Sequence, residues 1–426
     1  MAQGREDFVV LEARDRVGGR TKSGQIGDLT IDLGGMWMAP SQTRLKCLTS
    51  HYGLRSYPTH LDGNAIFRIG THERQGRRED LSRLFGIAGG GAYLLARWKL
   101  NRLLAPLDMN QPWAHPDAEK LDETTVEAWI EQNVYNRLPR AAFRTICISL
   151  LCAEPSQVSL LFFLHYIKSA GGLDVLISAD TGGAQNLMFH GGVHRISQFM
   201  ADEIGDRLHL NAPATAIEWR DGGVTVQSAA GTFTARKAII AIPPTLLHRI
   251  YFTPALPQAK ELLHDRLLMG SSIKFWVLYK TTFWRDQGLN GMILRDDAPM
   301  TPIMDITPPG QENGLLVGFF DGIRAIRNAG LSVQERRHIV LEMLASHLGP
   351  SALEPLEYVE HDWNAEEWSG GCYGAFAPPG VYSRYGMGLR ETIGPLHWAG
   401  TETEPRWTGY IEGAIRSGER AARETL

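Results

Sequence analysis

Val10-Leu11-Glu12-Ala13-Arg14-Asp15-Arg16-Val17-Gly18-Gly19-Arg20-Thr21 is the stretch that decides the fold. With Phe8 and Val9 ahead of it, the apolar run reads as a short parallel strand ending in an acid. In a dinucleotide-binding βαβ fold, an acid there accepts hydrogen bonds from ribose hydroxyls. The glycine pair that follows, with Arg16 and Arg20 beside it, suits a pyrophosphate. A surface turn with solvated arginines is the plainer alternative, and the adjoining strand and acid weigh against it. The phosphate-binding glycines of such a fold lie about 20 residues before the acid. Only eleven residues precede Glu12, and Gly4 is the one glycine among them. The chain as written is therefore expected to lack the first strand and its G-x-G-x-x-G turn, with residues 1–6 as the tail of the first helix. Either an in-frame upstream segment supplies them, or the protein is a truncated remnant.

Outward from this stretch, Asp32-Leu33-Gly34-Gly35-Met36 is a second glycine turn. The last fifth of the chain holds three more marked stretches. Trp368-Ser369-Gly370-Gly371-Cys372-Tyr373 sets one thiol between a glycine pair and an aromatic. Ala399-Gly400-Thr401-Glu402-Thr403 precedes Trp407-Thr408-Gly409-Tyr410-Ile411-Glu412-Gly413, and a small-residue helix pattern fills 414–424. Gly409 and Gly413 let the backbone at that helix start approach a flat or phosphorylated group. Thr408 is the expected cap, with the free N–H groups turned toward an anion. Each stretch has a plainer reading: a turn beside a buried thiol, or tyrosines in a core.

Between these ends, residues 58–189 read as mainly helical. Helices are expected over 81–104, 124–132 (capped by Thr124, with Glu127 three residues on), 137–152 and 157–169. Short strands are expected within 206–226, and a buried strand in 237–244 that ends at Pro243 and Pro244. Ser271–Tyr279 reads as another strand, in which Lys274 interrupts Ile273, Phe275 and Val277. A lysine inside such a run needs a partner or a task, unless it faces outward at period two.

At 426 residues and 43% hydrophobic, the chain buries a large core and suggests two domains. A net charge of −4 gives no nucleic-acid patch. No apolar run reaches a membrane span, and no signal peptide is evident. Cys47, Cys147, Cys152 and Cys372 form no C-x-x-C pair, so neither a metal site nor a disulfide framework is indicated. That usage fits the cytoplasm.

Taken together, the motifs at 10–21, 32–44, 152–172, 241–245, 269–284, 363–381 and 398–424 resemble the flavin monoamine oxidase family, along the whole chain. The resemblance implies an α/β fold. A Rossmann-like FAD-binding domain of the glutathione-reductase type would occupy 1–57, 190–263 and 366–426. It would interleave with an α+β substrate domain at 58–189 and 264–365. Glu12, Arg14, Gly19, Arg20 and Thr21 would hold FAD at one end, with the backbone of Ala214 near the adenine. Gly34, Gly35, Met36, Gly400, Thr401, Glu402, Gly409, Tyr410 and Ile411 would border the cofactor. Trp363 would stack near the dimethylbenzene edge of the flavin, and Cys372 is the candidate for a thioether to its 8α-methyl group. Tyr373 and Tyr410 match the family's aromatic pair, Lys274 a lysine that holds water at the flavin N5, and Gln185 a residue bordering the substrate cavity. The implied activity is oxidative deamination of a primary or secondary amine by O2, giving H2O2. No membrane anchor is implied, and a homodimer is left open. Two alternatives stand beside it: another flavin enzyme of the same fold, such as a polyamine oxidase, and a remnant without flavin.

Overall fold

The computed structural model describes residues 7–77 and 85–426. The expected helix tail at 1–6 and the first residues of the expected helix at 81–104 lie outside the described residues. Two parallel strand pairs carry the N- and C-terminal motifs. Val10–Leu11 pairs with Leu208–His209, and the Glu12 N–H extends the ladder to the His209 carbonyl at 2.9 Å. Ala238–Ile240 pairs with Leu396–Trp398. Val10 and Leu11 of one pair and Ile239 and Ile240 of the other line one large cavity between them. A four-stranded sheet (Gly231–Ala235, Gly223–Ser228, Ala214–Arg220, Tyr251–Thr253) stands behind the second pair. Its Ile217 and Val224 share a core with Ile240, Leu396 and Trp398.

A seven-stranded mixed sheet forms the other half. Its order is Glu357–Asp362, Ser272–Tyr279, Gly314–Asp321, Ile303–Asp305, Leu289–Arg295, Asn64–Ile69 and His72–Gly76. Every residue of Ser272–Tyr279 and of Gly314–Asp321 is buried, which explains their near-continuous apolar sequences. Alternation assigns their faces. Ile273, Phe275, Val277 and Tyr279 pack with Val340 and Leu344 of the helix Val333–Leu348. Trp276 and Leu278 pack on the opposite side with Ile31, Leu33 and Met36. Lys274 shares that second side, so the strand's own period turns its amine toward the loop at residues 32–36. The strands Asn64–Ile69 and His72–Gly76 fall in a region whose sequence reads as helical. His72–Gly76 is an edge strand of mostly exposed polar residues, which leaves no alternation to detect.

The helices Gly86–Leu104, Val126–Asn133, Arg137–Leu151 and Leu160–Ser169 share the largest core. Two expected boundaries move. Thr125, not Thr124, caps Val126–Asn133, accepting from the Ala128 N–H at 3.0 Å. Thr124 instead closes the preceding helix, with its hydroxyl on the Lys120 carbonyl at 2.7 Å. Adjacent threonines offer the same chemistry, and only the backbone path chooses between them. Ser159 caps Leu160–Ser169, two residues beyond the expected start. Among the described residues no helix is long and apolar enough to cross a membrane.

Candidate active site

The cavity between these layers measures about 1960 Å³, above the usual range for a site holding one small ligand. One end is built by the first strand and its turn. Glu12, Arg14, Gly19, Arg20 and Thr21 line it, as do Ala212, Pro213 and Ala214 across from them. The Glu12 carboxylate takes the Arg14 backbone N–H at 2.9 Å, and the Arg14 guanidinium donates to Ser369 Oγ at 2.7 Å. Glu366 gathers the remaining basic groups, with Lys22 Nζ at 2.7 Å, Arg16 at 3.4 Å and Arg14 at 3.6 Å. His361, five residues upstream, also reaches Glu366 at 3.1 Å, but the sequence around Glu366 does not mark it as a hub, because Arg14, Arg16 and Lys22 lie about 350 residues upstream. At Gly19, φ is +56°, and an added Cβ would meet no protein atom within 4 Å. The wall there is bare backbone facing free space.

Arg20 joins this end to the centre. Its two terminal nitrogens hold Glu402 bidentately at 2.6 and 2.9 Å, and one also reaches the Tyr373 carbonyl at 2.9 Å. Burial alone would lower the guanidinium's pKa; Glu402 outweighs it and leaves it raised. The Glu402 carboxyl is likewise held below its usual value, with Arg20 overcoming the upward push of burial. Glu402 is not itself among the residues lining the large cavity. It stands behind Arg20 and also accepts the Ala375 N–H at 3.0 Å, so it acts on a ligand only through Arg20.

At the centre, Gly34, Gly35 and Met36 line the cavity with Lys274, Trp363 and Cys372. The Lys274 amine is 3% exposed. It donates to the carbonyls of Asp32 and Gly34, both at 2.8 Å, and lies 3.1 Å from Met36 Sδ. All three ammonium protons are thereby directed at one loop. Burial pulls this ammonium's pKa down, and the same desolvation pushes the neighbouring Asp32 carboxyl up. Trp363 is fixed by its indole N–H on the Leu33 carbonyl at 2.9 Å. Among the described residues, Cys372 is the one thiol on this wall. Burial raises it to about 12 despite Arg20 and Lys274.

At the far end, Tyr373 and Tyr410 are half-buried and both line the cavity, with Gln185. Each ring is held by aromatic neighbours that the sequence did not single out. Tyr410 meets Trp407 edge-on at 5.0 Å and Tyr166 at 6.1 Å, while Phe319 meets Tyr373 edge-on at 6.2 Å. Burial pushes the Tyr410 phenol up to about 12. The Gln185 side chain donates to the Leu176 carbonyl at 3.0 Å. Around the rings the lining is Ile146, Leu150, Leu176 and Ile177 on the Tyr410 side. Trp37, Met292, Met304 and Phe319 form the Tyr373 side. Among the described residues, the carboxylates that line the cavity are Asp7, Glu12 and Glu419, on or beside the first strand and the last helix.

That helix, Ile411–Glu424, starts at the cavity with Tyr410 as its N-terminal boundary and no side-chain cap. Thr408 is not the cap; its hydroxyl donates to the Thr401 carbonyl at 3.2 Å. Thr401 in turn donates to the Tyr410 carbonyl at 2.8 Å, so the two threonines tie the turn to the Gly400–Thr401 wall. Ile411 and Ala414 complete the surface.

An acid at a strand end, arginines, bare glycine backbone and a long apolar trough fit an FAD molecule, with room beyond it for a small substrate. The comparisons agree. The family model for flavin containing amine oxidoreductase matches residues 1–426. A probable flavin-containing monoamine oxidase A of Dictyostelium discoideum is 36% identical, over 98% of this chain and 92% of that protein. Cyclohexylamine oxidase from Brevibacterium oxydans superposes with a TM-score of 0.94 at 33% identity, over 100% of this chain and 94% of that one. Wild-type putrescine oxidase bound to putrescine does so with a TM-score of 0.92 at 30% identity, over 98% and 92%. This chain therefore belongs to the flavin-containing amine oxidoreductase family, with its Rossmann-like FAD-binding fold.

Proposed function

We propose that this flavin-containing amine oxidase deaminates apolar monoamines. FAD, when bound, supplies the two-electron acceptor. For a primary amine, one O2 and one H2O are consumed, and an aldehyde (or, from an amine on a secondary carbon, a ketone), ammonia and H2O2 are released. The residues divide the remaining work. The rings of Tyr373 and Tyr410 confine the uncharged amine and stabilise positive charge developing on its nitrogen. The apolar walls take the carbon skeleton and exclude water from it. Lys274 holds the loop at 32–36 in place; a water at its amine would replace Met36 Sδ, the weakest of its three acceptors. Glu12, Arg14, Arg20 and Thr21 would hold the cofactor's polar end. Cys372 is the thiol we assign to covalent attachment of the flavin.

The observation that carries the substrate class is the wall around the two tyrosines, which among the described residues presents no carboxylate to the cavity, Asp321 lying fully buried behind Tyr373. A diamine would leave its second ammonium there without a counter-charge, and that costs more than burying a methylene gains. Peroxide formation from cyclohexylamine or benzylamine should exceed that from putrescine by at least about tenfold in kcat/KM, equivalent to about 1.4 kcal/mol. Faster turnover of putrescine would refute the substrate class.

Attachment has its own test. Acid precipitation of the wild-type holoenzyme should leave yellow colour in the pellet, and Cys372→Ala should release it. Free flavin in the wild-type supernatant would refute the thioether and leave the oxidase reading intact.

A further inference from the structure

Asp321 closes the strand Gly314–Asp321, opposite Ser272 in the register of Ser272–Tyr279. It is 0% exposed. Its Oδ1 accepts the Ser272 hydroxyl at 2.7 Å and the Cys152 thiol at 3.3 Å. Its Oδ2 faces the Tyr373 hydroxyl at 3.5 Å. Among the described residues no cation forms an ion pair with it. The charged and titratable groups around it are Lys274 on its partner strand, Arg324 on the helix Ile323–Asn328, and Cys152, Cys372 and Tyr373. Glu154 is turned away to the Ile323 N–H at 3.0 Å. A buried carboxyl without a counter-ion is costly as an anion, and a serine or asparagine would satisfy Ser272 equally well.

We propose that Asp321 is a positioning residue for Tyr373, whose own protonation sets the direction of the Tyr373 hydroxyl hydrogen bond and thereby the cation-attracting strength of that ring. The inference rests on the reading of Tyr373 and Tyr410 as an amine slot. As an anion, Asp321 only accepts, so the Tyr373 O–H donates to it and the ring becomes richer in electron density. When Asp321 is protonated, Oδ1 is already occupied by two donors, so the proton sits on Oδ2 and points at the phenol oxygen. Tyr373 then accepts, and its ring face weakens. Burial places the Asp321 carboxyl at about 7, with the Ser272 and Cys152 hydrogen bonds pulling the other way. Burial also keeps the Tyr373 phenol and the Cys152 thiol protonated throughout that range. Among the groups of this cluster, only Lys274 shares the window.

The test uses tetramethylammonium, a cation with no proton to lose, bound to the FAD-loaded protein and followed by calorimetry. Wild-type affinity should rise about three- to fivefold as pH rises through about 7, the yield of a fraction of one cation–π contact. Asp321→Asn should bind with no such rise, and Tyr373→Phe, which keeps the ring, should lose the rise as well. A flat wild-type profile would overturn the proposal. So would an Asp321→Asn protein that keeps the rise, since Lys274 would then own it. So would a Tyr373→Phe protein that keeps it, since Asp321 would then act by charge alone. Should Asp321→Asn not fold, Ser272→Ala decides: loss of a donor to the anion should move the midpoint upward, and an unmoved midpoint overturns the proposal. Tetramethylammonium that fails to compete with amine oxidation at any pH would refute the slot itself; the pH results refute only the role of Asp321.

Discussion

Tyr410 separates ring from hydroxyl cleanly. Its ring faces the cavity, and its hydroxyl is hydrogen-bonded to Tyr166, which is itself held on the Leu150 carbonyl at 3.3 Å, so Tyr410→Phe removes one hydrogen bond and should keep most of the activity. Tyr410→Ala removes the ring face and should cost a few kcal/mol in ΔΔG‡, on the order of 10²-fold in kcat/KM per bound flavin. A core role would lower the melting temperature instead and leave turnover per flavin unchanged. Lys274→Met leaves the Asp32 and Gly34 carbonyls without a donor. We expect a stability loss of about 1–3 kcal/mol by urea unfolding, together with slower flavin reoxidation by O2. Asp321 makes a pH prediction. Its folded-state value of about 7 lies above the unfolded value of about 3.9. It therefore contributes stability that is complete below about pH 4 and is lost as pH rises through about 7. Between about pH 5.5 and 8.5 the wild type should lose about 2 kcal/mol relative to Asp321→Asn. Not all of these residues were equally legible in sequence. Lys274 announced itself by interrupting an apolar run, yet its direction needed the strand's partners. Asp321 ends a similar run, Leu315–Phe320, and that same signal passed without notice. The partners of Glu402 lie too far along the chain for spacing to expose them.

At the scale of elements, the Arg20–Glu402 pair joins the first glycine turn to the Gly400 wall, and Arg20 also grips the Tyr373 carbonyl. Glu402→Gln keeps the shape and removes the charge, leaving a mostly buried guanidinium unneutralised. We expect a loss of about 3 kcal/mol in unfolding free energy and a drop in retained flavin after gel filtration. Unchanged flavin content would show that Arg20 is placed by other contacts. The buried strand 271–279 was legible because an apolar run bounded by glycine leaves few alternatives, whereas the expected buried strand 237–244 shrinks to Ala238–Ile240, with Ile239 42% exposed on the cavity wall. The two strands at 64–76 were not legible, because the outer one, His72–Gly76, is an exposed polar edge that carries no period. Helix starts drifted by one to three residues wherever neighbouring Ser or Thr residues competed for the cap.

For the whole molecule, the decisive feature is a single trough that runs from the Glu12 carboxylate to the two tyrosines, polar at one end and apolar at the other. Its polar end was readable from strand, acid and glycines together. Its apolar end was not, because Ile146, Leu176, Met292 and Phe319 come from four separate elements that only the fold brings side by side. The central claim is that an apolar monoamine reduces the bound flavin in the slot formed by Tyr373 and Tyr410. Anaerobic stopped-flow mixing of the holoenzyme with benzylamine tests it most directly, by following the bleaching of the flavin's visible absorbance. The expected result is full bleaching in the wild type and a rate lower by about 10²-fold in Tyr410→Ala, normalised to bound flavin. Wild-type flavin that stays oxidised with every apolar monoamine tried, or equal rates in the two proteins, would contradict it.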